Sequence, residues 1–119
     1  MTDRELLELA AKAAGIEYDS AASFSTDPSH KFFGLWLKID GEPYEGQRRR
    51  WNPLTDDGDA LRLAVALEIH VFRFYRLTTA RWPNATWAID VRDSDYGDSP
   101  YAATRRAIVR AAAEIGKAK

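Results

Sequence analysis

The sequence predicts an α+β domain, a three-layer α/β/α sandwich in which three helices cover a small, mostly antiparallel sheet of about four strands. Three observations carry this expectation. Helix-like and strand-like segments follow one another in the order α-β-β-α-β-β-α. Residues 32–39, Phe-Phe-Gly-Leu-Trp-Leu-Lys-Ile, are apolar on both pleat faces over most of their length, which asks for material above and below the sheet. The 119 residues, 45% hydrophobic and 29% charged, suffice for one core, so residues 1–119 are read as a single domain.

Residues 2–14 read as a helix. Thr2 and Glu5 form a T-x-x-E capping box, Leu6, Leu9, Ala10, Ala13 and Ala14 share one side, and Gly15 suits a left-handed stop. Residues 16–31 turn polar and read mostly as loop. The strand at 32–39 ends at Asp40-Gly41, a hairpin signal, and Pro43 makes the segment to Trp51 an edge strand at best. Asn52 to Thr55 is a turn. Asp56 to Glu68 follows as a helix whose acidic start suits the helix dipole. Residues 69–77 and 86–92 read as two more strands joined through Arg81 to Asn84, the second alternating Trp87, Ile89 and Val91 with Thr86, Ala88 and Asp90. A polar loop at 93–99 leads to the last helix, capped by Ser99 with Pro100 at its first position, its buried side carrying Tyr101, Ile108, Ala112 and Ile115.

Composition narrows the function. Seventeen basic against eighteen acidic side chains leave a formal net charge of −1, which disfavours general polyanion binding. That balance conceals segregation: residues 1–45 carry four basic and nine acidic side chains, whereas 100–119 carry five and one. With no cysteine, disulfides, thiolate metal sites and a cysteine nucleophile are excluded. The charged, amphipathic start lacks a secretory leader pattern, and no apolar run approaches the ~20 residues of a membrane span, so a cytoplasmic chain without a membrane partner is expected.

Several clusters invite a functional reading. Arg48, Arg50 and Trp51, with Arg73 and Arg76 nearby, form a basic and aromatic strand edge suited to phosphate contact and base stacking, or to a protein partner. The competing and favoured account is an edge strand charged against edge-to-edge pairing. Asp56, Asp57 and Asp59 supply hard oxygens for a cation but read more simply as a helix cap; Asp93, Asp95 and Asp98 read as a solvated loop. Arg106, Arg110 and Lys117 share a face of the last helix and read as solvated. His30 and His70 stand in no metal or hydrolase motif, and Ser25, Asp27 and His30 are merely close in sequence. A small metal-dependent or hydrolytic enzyme is therefore the third reading, and no cofactor is expected.

Three segments together resemble the phage ABA sandwich domain family of small phage and prophage proteins: residues 1–15, residues 51–64 with the spelling W-N-P-x-x-x-D-x-x-A-L-x-L, and residues 100–116. The resemblance implies an α/β/α sandwich and a phage-related origin. It supplies no functional residue. The leading expectation is a non-enzymatic accessory module that binds a host or phage protein, since tryptophan-rich and arginine-rich surfaces favour interfaces. Nucleic-acid binding through the basic edge is the alternative.

Overall fold

The computed structural model describes residues 1–18, 35–36 and 50–119. The double-sided strand proposed at 32–39 lies outside these residues except for Leu35 and Trp36, as do the Pro43 segment and the loop from residue 19. The described part is α+β, with three helices and a three-stranded antiparallel sheet.

Helix α1 spans Asp3–Ala14. The Thr2 hydroxyl oxygen accepts the Glu5 N–H at 3.1 Å, and Gly15 ends the helix at φ 69°, a left-handed conformation that glycine adopts without Cβ strain. Strands β1 (Leu35–Trp36) and β2 (Arg50–Trp51) form a short antiparallel ladder with Leu35 opposite Trp51, both in the core. Asn52 then builds the turn into α2 (Asp57–Ala66). Its carbonyl accepts the Thr55 and Asp56 N–H groups and its side-chain Oδ1 accepts the Leu54 N–H, while Asp56 caps α2 by accepting the Asp59 N–H at 2.7 Å.

Strands β3 (His70–Arg73), β4 (Leu77–Arg81) and β5 (Ile89–Arg92) form the sheet in the order β3-β4-β5. The region read as one strand over 69–77 is a hairpin that reverses at Tyr75-Arg76, and β4 occupies part of what was taken for a connection. Both turn residues are left-handed, φ 49° and 62°, and Phe74 and Leu77 exchange both N–H···O bonds across them. That is the geometry of a two-residue hairpin loop, built here without the Asn-Gly or Asp-Gly that would have announced it.

A 3-10 helix over Asp93–Tyr96 leads through Gly97 to α3 (Pro100–Lys117), capped by Ser99. This helix is the hub: it packs against α1, α2, β4 and β5. Its seam with α1 is made of small residues, Ala10 and Ala13 on one side and Ala107 and Ala111 among those on the other, all buried. Gly116 comes so close to α1 that a Cβ there would overlap the Leu9 carbonyl.

The pleat sets the faces. Val71, Arg73, Thr78, Ala80, Ile89 and Val91 share the side facing α3, where the Thr78 and Thr104 hydroxyls meet at 3.1 Å. The opposite side carries His70, Phe72, Arg81, Asp90 and Arg92, all exposed. Of the described helices, α3 packs on one face of the sheet, and α1 and α2 pack on α3. Two side chains differ from expectation: Tyr101 is exposed rather than buried, and Trp87 precedes β5, half-exposed and edge-on to Trp82 at 5.1 Å.

Candidate functional site

Where α2 diverges from the sheet, a groove of about 540 Å³ opens between α2, the first turns of α3 and the end of β3. Its walls include Ala60 and Leu61 from α2, Tyr101, Thr104 and Ile108 from α3, and Arg73 from β3. A second hollow, of about 490 Å³, shares Leu61 with it and is lined by Ala64, Val65, Ile69 and Val71. Large apolar side chains stand exposed along them: Leu61 at 63%, Val65 at 70% and Tyr101 at 68%; Phe72 and Phe74 are exposed as well, but Phe72 lies on the sheet face turned away from the groove and neither lines it. The hairpin tip adds Tyr75, at 89%.

The helical spacing explains the ridge. Leu61 and Val65 are i and i+4 on one face of α2, while Ala60, Leu63 and Ala64 turn into the core. Ala60, Leu61, Leu63, Ala64, Val65 and Leu67 spread over a wide apolar arc of the helix, and the structure spends only part of that arc on burial.

At one end, the groove is anchored by a polar network. Arg73 donates to both carboxylate oxygens of Asp93, at 2.9 and 2.8 Å, and to the Thr78 hydroxyl at 2.6 Å. The single Thr104 proton goes to the Pro100 carbonyl at 2.7 Å, so Thr78 is the donor in the Thr78–Thr104 contact. Arg73 beside it holds the Asp93 carboxyl below its ordinary range, against the desolvation that acts the other way. On the rim, Arg105 donates to Asp57 at 2.6 Å and to the Leu54 carbonyl at 2.9 Å. Both groove arginines are thus held by carboxylates. An occupant would meet mainly apolar surface.

The residues proposed from the sequence do not assemble into one basic edge. Trp51 is 3% exposed beside the Asn52 turn, which removes it as a stacking platform. Arg73 is engaged by Asp93, whereas Arg76 is exposed at the hairpin. Arg50 contributes its backbone to β2, and Arg48 lies outside the described residues. The acidic clusters are structural: Asp56 caps α2, Asp57 pairs with Arg105, and buried Asp59 accepts the Asn52 N–H and binds Arg62. Among the described residues, no three His, Asp or Glu side chains are placed to share a metal ion. His70 begins β3 on the exposed face; His30, Ser25 and Asp27 lie outside the described residues. Arg106, taken for a solvated residue, pairs with Asp3 at 2.6 Å and lies over the Tyr96 ring.

Sequence reasoning missed Asp93, which was read as part of a solvated loop, because its partner is twenty residues away across the hairpin. Comparison with protein-family models, curated proteins and solved structures finds no match to this chain. No described helix is long and apolar enough to cross a membrane.

Proposed function

We propose that the chain is a cytoplasmic phage or prophage accessory protein that works by binding another protein, and that the groove between α2, α3 and β3 is its docking surface. The supporting observation is the exposed Leu61, Val65 and Tyr101 along two neighbouring hollows that share Leu61. Contiguous apolar exposure beyond a few hundred Å² is uncommon on a monomer and marks interaction sites. The resemblance of residues 1–15, 51–64 and 100–116 to the phage ABA sandwich family supports the origin. The resemblance also implies an α/β/α sandwich, and we extend the proposal to a three-layer sandwich with a mostly antiparallel sheet of about four strands.

Leu61→Asp tests the docking surface. Its side chain is exposed, so folding should be unaffected while a charge enters the middle of the groove. Tagged wild-type and variant chains are compared as bait at equal concentration. A protein retained by wild type and reduced by roughly 30-fold or more with the variant supports the reading. Equal retention by both, or none by either when the untagged chain is also present as prey, rejects it.

A further inference from the structure

Among the described residues, strand β3 is an edge of the sheet, paired on one side only, with a defined polarity. Phe74 exchanges hydrogen bonds with Leu77, so the antiparallel alternation turns the N–H and C=O groups of His70, Phe72 and Phe74 toward β4. Those of Val71 and Arg73 point away from it. All four residues of β3 are exposed; the strand has neither proline nor lysine, and its one arginine, Arg73, is engaged by Asp93 instead of being left to block the edge.

We propose that this edge pairs with the same edge of a second copy of the chain, antiparallel across a twofold axis at Phe72. The proposal rests on the reading of this surface as protein-binding and names its partner. Pairing of this register sets Val71 opposite the second copy's Arg73, and each such pair exchanges both ladder hydrogen bonds, satisfying the outward groups of both strands. Phe72 then faces its own counterpart at a non-hydrogen-bonded position, where side chains come closest and aromatic pairs are favoured. The result is one continuous six-stranded sheet, with the exposed Leu61 and Val65 ridge of α2 beside the new junction. A twofold interface needs a self-complementary patch, and an antiparallel edge centred on an aromatic provides one.

Area favours a copy of the whole chain over a short peptide. Taking ~150–250 Å² for each aromatic side chain and somewhat less for each aliphatic, the exposed parts of Leu61, Val65, Val71, Phe72, Phe74 and Tyr75 come to roughly 750 Å², close to the ~800 Å² per partner of a stable interface. Sequestering this much from both sides of the strand requires a body that also covers α2.

Sedimentation equilibrium of the full chain across the micromolar range is the test. The expected mass rises from one chain to two. Phe72→Lys should raise the dissociation constant roughly 30-fold or more. Val71→Pro removes an outward N–H that the β3–β4 ladder does not use, and should act in the same direction with an unchanged circular dichroism spectrum. Amide exchange reads the pairing without a variant: the Val71 and Arg73 amides should slow as concentration rises, while those of Phe72 and Phe74 are protected throughout. A wild-type mass of one chain at every concentration overturns the pairing, as does a dimer in which the Val71 and Arg73 amides do not slow. Should the wild type be monomeric while partner capture is still lost in Leu61→Asp, only the twofold pairing fails and the docking reading stands.

Discussion

Arg73 illustrates how far a side chain's role depends on what lies across the fold. As a sequence feature it is one more arginine in a basic stretch; in the folded chain both its terminal nitrogens are committed to Asp93, and one also meets Thr78. The consequence is a pH signature. The folded Asp93 carboxyl lies below its ordinary value, so its contribution to stability is complete above the unfolded carboxylate range near pH 4 and disappears as pH falls through the lower folded value. Asp93→Asn should therefore lower the melting temperature at neutral pH, and its deficit relative to wild type should shrink on acidification below about pH 4. Thermal melts of both proteins from neutral to acid pH check this. A constant deficit would show that charge on Asp93 is not what stabilises the site. Asn52 carries the opposite lesson, of a buried polar group only partly satisfied. Its oxygen is fixed by the Leu54 N–H, which leaves its amide nitrogen without a partner.

At the scale of the element, local chemistry was legible and reversals were not. The caps at Thr2, Asp56 and Ser99, the left-handed Gly15 and the turn at Asn52 all follow from signals within a few residues. The β3–β4 hairpin does not, since Tyr75 and Arg76 are poor residues for φ values of 49° and 62°. Replacing them by Asn and Gly should stabilise the chain by about 1–2 kcal/mol, measured by urea denaturation. No gain would place the turn strain elsewhere. The same limit explains Tyr101: helical periodicity puts it in line with Ile108 and Ala112, but α2 lies beside α3 and leaves that first turn open on the groove. Gly116 is the reverse case, a glycine whose need for close approach shows only in the packed pair. Gly116→Ala should destabilise by roughly 1–3 kcal/mol, because the new methyl meets backbone rather than a movable side chain. An unchanged denaturation midpoint would contradict that packing.

For the whole molecule, α3 organises one side of the sheet: α1 closes on it, while α2 leaves a groove beside β3, which among the described residues pairs on one side only. The candidate site was only half visible in the sequence. The apolar residues Leu61 and Val65 and the strand character of residues 69–77 lie plainly in the sequence, but the approach of Leu61 and Val65 to Val71 depends on the hairpin reversal. The basic edge was the more conspicuous feature, and Trp51, its aromatic member, is instead part of the core. The central claim is that the apolar surface around α2 and β3 is an interface. Hydroxyl-radical footprinting tests it most directly, applied to the dilute pure chain, the concentrated pure chain and the chain in a lysate of the cell that carries its gene. The account predicts that labelling of Leu61, Val65, Phe72 and Tyr75 falls several-fold in the concentrated chain or the lysate while that of Trp87 stays constant. Labelling of all five that is the same in the three conditions would contradict it.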